Sequence, residues 1–371
     1  MAGFLYSIGL GVPRNATRAK LYGQQAVDAG LHRAKLNIIL DNYSARPSSK
    51  TWEAAFTALT ELQKSDPGVA HLGLHYLHKQ PHGRANHGAH YEHLHDAATA
   101  GESYAMHELG KIYLHQTNAS EGTLYIAEQF LQKAYHKDDF GAGMVLAYHY
   151  RDGKELRQDR EEYLKIITRL TAFEHPAALS EMGSYLRMES ADPLLISPEA
   201  MNFFQRAYAL NDVYAQKTIG LYQLNGTPEY RDISSAMVLL KPLAARGDLE
   251  VQKRLVEYFA QQSGGGAERE RIKYQAMAAL NGDLQSQEYL LMQNVGRGQV
   301  AAMTPYLDAL RGRVRRTKDV QATLVLAQHL NLGSGARKDT KQARKLLQSI
   351  SYIDDPVIQQ EIRRINQTAG L

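Results

Sequence analysis

Small or β-branched residues recur at a nearly constant interval along the whole chain. They are Ala34, Ala70, Ala105, Ala142, Ala178, Ala215, Val251, Ser286, Ala322 and Ile358. Successive members are 35 to 37 residues apart. Insertions would disturb this spacing if it arose by chance, so the interval indicates repeated copies of one structural unit.

One copy, Ala105 to Ala142, predicts two short helices. Residues 105–113 form the first helix, 127–134 the second, and a polar loop at 116–122 joins them. Two such helices cannot bury both apolar faces alone, so successive copies must stack. Alanines at fixed distances before the recurring residues indicate close helix packing. These alanines are Ala19, Ala55, Ala127, Ala200, Ala236 and Ala343, and Ala26, Ala97, Ala134, Ala207 and Ala278.

The ends of the units carry the residues that end and begin helices. Glycines that favour a left-handed backbone follow the second helix at Gly30, Gly101, Gly247 and Gly282. An acidic residue then begins the next helix at Glu102, Asp248 and Asp283, where a negative charge suits the helix dipole. Alternating apolar patterns typical of strands do not occur. The sequence therefore predicts an all-α protein.

The first unit contains Leu5-Tyr6, then Gly9-Leu10-Gly11-Val12, and later Ala29-Gly30. The first-helix part of this pattern returns at Leu109-Gly110, Met182-Gly183 and Ile219-Gly220, but the units at Val251 and Ser286 have lost it. The pattern resembles the Sel1-like repeat, a tetratricopeptide-like helix pair. The resemblance implies a right-handed α-α superhelix, or solenoid, of about nine helix pairs with a C-terminal capping helix.

The resemblance spans residues 1–371, which we expect to form a single repeat solenoid. Residues 1–30 are a partial first repeat, 31–293 the central repeats, 294–353 degenerate basic repeats, and 354–371 a capping helix and tail. Pro305 either breaks an expected second helix or sets its first turn. In the capping helix, Ile358, Ile362 and Ile365 would face the array, with Arg363 and Arg364 outward.

Composition excludes several classes of site. The chain has no cysteine, so disulfides, thiolate metal sites and a cysteine nucleophile are ruled out. The net charge of +4 does not by itself indicate nucleic acid. No bilayer-spanning run or signal peptide is evident. Because Met1 to Tyr6 already reads as the middle of a repeat helix, we expect the natural N-terminus to be missing. The compartment is unknown, with the bacterial periplasm favoured over the cytoplasm.

The sequence contains no recognisable catalytic machinery. The glycines at 9–11 and 264–266 do not follow strands and lack the Lys-Ser/Thr ending of a phosphate loop. We therefore expect a protein that is not an enzyme. The resemblance implies a non-enzymatic scaffold or adaptor that engages another protein or a peptide segment, with no cofactor. In bacteria, similar arrays serve in envelope assembly, exopolysaccharide export and secretion.

Stacked first helices would line a concave groove, and the geometry of a tetratricopeptide-like pair predicts which side chains point into it. The row mixes Tyr, Met, His and basic residues with few acids, as expected for a surface that accepts a peptide or an acidic segment. Its members are His107, Lys111, Leu114, His115, Met144, Tyr148, Arg151, Ser184, Arg187, Lys217, Leu221, Lys253 and Glu257.

The C-terminal units are basic, with 13 Lys/Arg against 6 Asp/Glu from Arg297 onward. This surplus suggests an alternative function, a module that binds an acidic polysaccharide or another anionic polymer. Nucleic acid is disfavoured, because no aromatic residues interleave the arginines for stacking on bases. The candidate anion-binding residues are Arg311, Arg313, Arg315, Arg316, Lys338, Lys341, Arg344 and Lys345.

Eight histidines lie between positions 71 and 95. His71, His75 and His78 share one helix face by their spacing, and His90 and His93 would lie beside them if the next helix packs antiparallel. Neutral imidazoles so arranged can bind zinc or another divalent metal. A metal-binding scaffold is therefore a second alternative. The competing interpretation is that these histidines are half-buried polar residues between helices.

Overall fold

The computed structural model describes residues 15–80, 87–190 and 196–368, which contain twenty α-helices, one short 3₁₀ helix and no strand. The first ten helices are α1 (Ala16–Asp28), α2 (His32–Ala45), α3 (Ser49–Leu62), α4 (Pro67–His78), α5 (His87–Thr99), α6 (Ser103–Leu114), α7 (Glu121–His136), α8 (Phe140–Asp152), α9 (Arg160–Ala172) and α10 (Pro176–Met188). The others are α11 (Pro198–Ala209), α12 (Val213–Asn225), α13 (Ile233–Ala245), α14 (Leu249–Ala260), α15 (Gly265–Leu280), α16 (Leu284–Gln293), the 3₁₀ helix Ala301–Met303, α17 (Thr304–Thr317), α18 (Val320–Leu332), α19 (Thr340–Gln348) and α20 (Pro356–Thr368).

The chain divides into two compact units, Met1–Met182 and Gly183–Leu371, with the division inside α10. That residues 1–371 form a single solenoid stays a prediction. Residues 1–14 of the predicted partial first repeat lie outside the described residues, as does the tail from 369 to 371.

Consecutive helices pack as pairs, for example α4 with α5 and α6 with α7 in the first unit, and α12 with α13 and α14 with α15 in the second. The first helices of successive repeats also contact each other, as α6 and α8 do in the first unit and α12 and α14 in the second. The predicted all-α fold of stacked helix pairs is therefore confirmed.

The recurring small residues lie at the packing seams. Eight of the ten are buried, while Ala34 and Ile358, in the outermost repeats, are half-buried. Glycine serves the same purpose at Gly110, where an added Cβ would lie 2.5 Å from Cγ of Leu131. Small side chains at these positions allow the helices to approach closely.

Most first helices begin at acidic residues, as predicted, although α2 has Leu31 as its N-cap. The carboxylate of Asp212 accepts a hydrogen bond from the backbone N–H of Ala215 at 2.8 Å, and Asp319 accepts one from Ala322 at 3.0 Å. Asp139, Asp248 and Asp283 act in the same way three residues before their recurring residue. These bonds satisfy N–H groups that have no partner within the helix.

The repeat at 294–353 is irregular in sequence but well packed. Pro305 sets the first turn of α17 and does not break it. The segment before it bonds to the loop after α18, since the N–H groups of Gly296, Gly298 and Val300 donate to the carbonyls of Leu332, Gly333 and Gly335. One buried apolar cluster runs from Ile272 to Ile365.

The last helix, α20, covers this cluster. Ile362 and Ile365 are buried and Ile358 packs against the same cluster, while Arg363 and Arg364 are exposed. The predicted capping arrangement is confirmed. Within the described part of the chain, every helix is too short or too polar to cross a bilayer.

Candidate functional site

Side chains of the predicted groove join successive first helices in the first unit. Nδ1 of His107 on α6 lies 3.1 Å from Oδ1 of Asp139, which begins α8. Nη1 of Arg151 on α8 lies 2.6 Å from Oε1 of Glu181 on α10. The row of first helices is thus held together by ion pairs between repeats.

The carboxyl of Asp139 is tuned by these contacts. Burial raises its pKa, but hydrogen bonds from His107 and from the N–H of Ala142 outweigh burial and lower the pKa below its usual value. The carboxylate therefore stays ionised at neutral pH, which suits both the cap of α8 and the bond to His107.

The second unit repeats this arrangement. Nζ of Lys217 lies 3.3 Å from Asp248 and 2.8 Å from Glu250, and Nζ of Lys253 lies 3.3 Å from Asp283. In each case a cation on one first helix meets an acid at the start of the next. The predicted row itself contains few acids, but acids from the helix starts lie beside its lysines. A prediction made from the groove-facing positions alone does not include these acids.

Two of the predicted groove residues do not reach the surface. Leu114 is 2% exposed and Met144 is 5% exposed, so both belong to the core and cannot contact a partner. Helix α6 ends at Leu114, and its last turn packs inward. Met144 lies in the first turns of α8, where that helix faces the rest of its repeat.

The remaining predicted residues are exposed or half-buried. Lys111 pairs with Glu108 at 2.8 Å and Glu257 with Arg254 at 3.0 Å, both within one helix. Oγ of Ser184 bonds the Tyr214 hydroxyl at 3.3 Å. Arg187 and Leu221 are half-buried.

The exposed part of the row in the first unit is named here the first-helix surface, and it consists of Lys111, His115, Tyr148 and Arg151. The guanidinium of Arg151 lies 5.1 Å from the ring centroid of Tyr148. The same guanidinium bonds Asp152 at 2.7 Å and Glu181 at 2.6 Å. These bonds, first to Asp152 and then to Glu181, raise the pKa of Arg151. The aromatic–cation pair is therefore fixed in place before any partner arrives.

A cleft of about 1020 Å³ lies in the first unit between α7, α8, α9 and the loop that precedes α9. It is named here the second-helix cleft. The Tyr150 hydroxyl donates to Glu128 at 2.5 Å inside it, and burial followed by this bond raises the pKa of Tyr150. Sequence reasoning missed this cleft, because its depth depends on the course of the loop at 153–159.

The basic C-terminal residues divide into three groups. Arg313 is structural, since its guanidinium donates to the carbonyl of Leu280 at 2.7 Å. Arg311 pairs with Asp308 at 2.8 Å, yet it also lines a cleft of about 540 Å³ with Lys338 and with Arg337. This space is named here the basic cleft. Outside it, the exposed candidates are Arg315, Arg316, Lys341, Arg344 and Lys345.

The histidine cluster is only partly assembled as the spacing predicts. Nδ1 of His71 lies 3.1 Å from Nδ1 of His93. His75 instead bonds the backbone carbonyl of His90 at 2.7 Å through Nδ1. His78 packs edge-on against Trp52, with ring centroids 5.5 Å apart. The predicted five-histidine ligand set is therefore corrected: ring nitrogens of His71 and His93 face each other, His75 bonds the backbone of His90, and His78 stacks its ring on His93.

An acid completes a group of three metal-capable side chains. Oδ2 of Asp96 lies 3.4 Å from Nδ1 of His71, and the donor atoms of His71, His93 and Asp96 all lie within 4.8 Å of one another. The signal was present in the sequence, because His93 and Asp96 are three residues apart on one helix and so share a face. Among the described residues, this is the one group of three metal-capable side chains; His82 lies outside them.

Burial changes the acid–base properties of these imidazoles. It lowers the pKa of His75, and it lowers the pKa of His93 to about 4, with further lowering by neighbouring His71 and His78. His93 is therefore neutral at physiological pH, which is the form that binds metals.

These features define the chain as an all-helical repeat protein with surfaces suited to binding. The model of the Sel1 repeat matches it at residues 1–31, 103–139, 213–248 and 320–351. The chain therefore carries the Sel1 repeat at four places, as the resemblance indicated. The Sel1 repeat is generally a non-catalytic scaffold fold that needs no cofactor, and it is typical of proteins that bind other proteins.

Two solved structures share the fold. One is a protective antigen present in uropathogenic Escherichia coli strains that displays an SLR fold, with a TM-score of 0.55, 17% identity, and coverage of 99% of this chain and 81% of that one. The other is a Sel1 repeat protein from Oxalobacter formigenes, with a TM-score of 0.55, 18% identity, and coverage of 66% of this chain and 99% of that one. A comparison with curated proteins finds no match.

Proposed function

We propose that this chain is a non-enzymatic scaffold that binds a segment of another protein on its first-helix surface. Its cellular setting in this proposal is the bacterial periplasm, in envelope assembly, exopolysaccharide export or secretion. The family supports the general role, since Sel1 repeats are typical of protein-interaction scaffolds. The specific setting rests on the resemblance to bacterial arrays of this kind.

The observation that carries the proposal is the fixed Tyr148–Arg151 pair. Tyrosine and arginine are the residues that contribute most often to binding energy at protein interfaces. Here the guanidinium is held by two carboxylates and lies over the exposed ring. A side chain that is already ordered loses less conformational entropy when a partner binds, so more of its contact energy contributes to affinity.

The ion pairs between repeats change the charge that we expect of the partner segment. Because Arg151, Lys217 and Lys253 are matched by carboxylates, the row carries little uncompensated positive charge. The partner segment therefore does not need to be acidic. Its binding should depend on apolar and aromatic contact and weaken only modestly as salt is raised.

Site-specific photo-crosslinking tests this proposal. A photoreactive phenylalanine analogue replaces Tyr148 in one variant and Tyr125 in the other, and both are expressed in cells that naturally produce the protein. Tyr125 is a matched control because it is also an exposed tyrosine, but on second helix α7. We expect one discrete adduct from position 148 and none from 125. Adducts at 125 alone, or identical adducts from both positions, would contradict the proposal.

The basic cleft supports a second candidate function, the binding of an acidic polysaccharide. The cleft brings Arg311, Arg337 and Lys338 to one concave surface of suitable volume for a few sugar units. The test is binding of polygalacturonate at increasing salt to the double variant Arg337→Gln, Lys338→Gln. The control double variant Arg363→Gln, Arg364→Gln removes equal charge from α20. Equal binding by both variants would exclude the cleft as the site.

A further inference from the structure

We infer that His71, His93 and Asp96 form a zinc-binding site between α4 and α5. The site is independent of the proposed partner surface, and the scaffold proposal does not require it. It joins the two helices of one repeat, since His71 belongs to α4 while His93 and Asp96 belong to α5.

The distances between donor atoms fit a tetrahedral ion. Zinc binds imidazole nitrogen at about 2.0–2.1 Å, so two ligands of a tetrahedral site lie about 3.3 Å apart. The two Nδ1 atoms are 3.1 Å apart, and Oδ2 of Asp96 is 3.4 Å from Nδ1 of His71. The donor atoms of all three residues lie within 4.8 Å of one another, so small side-chain movements bring them to one ion.

The two facing ring nitrogens favour a bound cation. Nδ1 of His71 and Nδ1 of His93 are 3.1 Å apart. Without metal, one nitrogen must carry a proton and donate a hydrogen bond to the other. With metal, both nitrogens act as acceptors toward the ion, and the carboxylate of Asp96 offsets part of its charge.

A neighbouring amide can orient the His71 ring. The side-chain nitrogen of Gln63 lies 3.3 Å from Nε2 of His71. If the amide is turned about its axis, its oxygen accepts the Nε2 proton and leaves Nδ1 free for the ion. Metal-binding histidines commonly have such a partner on the second ring nitrogen.

The site is open on one side. The side chain of Asp96 is 56% exposed, whereas that of His71 is 20% exposed. An ion can therefore enter from solvent at Asp96, and a water molecule completes the fourth position. Three nitrogen and oxygen ligands with this geometry suit zinc, and cobalt can replace it as a spectroscopic probe.

Zinc titration of the untagged, chelator-treated chain tests the site. We expect one zinc ion per chain, and at least about tenfold weaker binding by Asp96→Asn and by His71→Gln. Glu92→Gln is the matched control, because it removes the same charge from an exposed position on the same helix. Circular dichroism verifies that each variant is folded, and Asp96→Asn, being at an exposed position, preserves the test if His71→Gln does not fold.

Two independent signals accompany the titration. Cobalt in the site should give the intense visible absorption of a tetrahedral complex. Trp52, the single tryptophan, packs on His78, which stacks on His93 with ring centroids 5.3 Å apart, so its emission should change as the ion binds. Equal zinc affinity in Asp96→Asn and Glu92→Gln, or a weak octahedral cobalt spectrum, would assign the metal to other surface histidines and overturn the inference.

Discussion

At eight of the turns between repeats the backbone takes a left-handed conformation, with glycine at four of them and another residue at the other four. Gly30, Gly101, Gly247 and Gly282 have φ values between 80° and 97° there, as their positions predicted. Four other repeats hold the same conformation, with φ between 50° and 64°, at Asp138, Glu174, Asn211 and Lys318. The left-handed conformation therefore recurs with the repeat even where the residue is not glycine.

We expect two substitutions at this left-handed position to change the free energy of unfolding in opposite directions. Lys318→Gly should increase the free energy of unfolding by about 0.5–1 kcal/mol, because glycine relieves the cost of a left-handed backbone. Gly282→Ala should decrease it by about 1 kcal/mol, since nothing lies within 4 Å of the added Cβ and only the backbone cost remains. Urea denaturation measures both. A loss of stability in Lys318→Gly would mean that its side chain contributes more than the backbone strain costs.

His329 gives the second unit a pH-dependent stability. The residue is fully buried, its Nδ1 bonds the carbonyl of Ser334 at 2.9 Å, and Nε2 has no hydrogen-bond partner within the described chain. Burial lowers its pKa to about 4, below the ordinary value of 6.5. Below pH 6.5 the unfolded chain gains a proton that the folded chain does not. Stability should therefore be complete above pH 6.5 and fall by about 1.4 kcal/mol per pH unit toward pH 4.

Denaturation at pH 7 and at pH 5 measures this slope. His329→Gln should reduce the difference between the two values, whatever its effect on absolute stability. His115→Gln is the control, because its imidazole is exposed in the folded and the unfolded chain. A slope that is unchanged in His329→Gln would show that other groups cause the acid sensitivity.

At the scale of elements, the sequence predicts which helices exist and in what order. It does not predict the hydrogen bonds between irregular segments. The interval between the recurring small residues predicts the position of each first helix. For Pro305 the sequence allows a broken helix or a first turn, and the structure shows the first turn of α17. The bonds from residues 296–300 to the loop after α18 join segments more than 30 residues apart. Such pairings carry no local pattern, since backbone groups can bond whatever side chains they bear.

Two glycines in these segments separate packing from backbone strain. Both have positive φ, 70° at Gly335 and 67° at Gly298. A Cβ at Gly335 would lie 2.6 Å from Sδ of the buried Met303, whereas nothing lies within 4 Å of one at Gly298. Gly335→Ala should therefore cost about 1–3 kcal/mol more than Gly298→Ala in thermal or urea unfolding. Equal losses would mean that Met303 moves aside freely.

At the scale of the whole molecule, the sequence predicted the family and the general role better than the site. The sequence predicts basic side chains on the first helices. It does not predict that these side chains meet acids from the next repeat. Leu114 and Met144 were placed by helix geometry alone, and their burial depends on neighbouring helices. The pairing of His71 with Asp96 likewise depends on how α4 and α5 pack.

In the proposed function, a partner protein binds across the first helices and not in the second-helix cleft. Hydroxyl-radical footprinting of the chain with the partner captured at position 148 measures this directly, since Tyr148 and Tyr125 are both exposed, at 36% and 62%. We expect the partner to protect Tyr148 from oxidation and to leave Tyr125 and the residues of the second-helix cleft unprotected. Protection of the second-helix cleft with Tyr148 still fully reactive would contradict it.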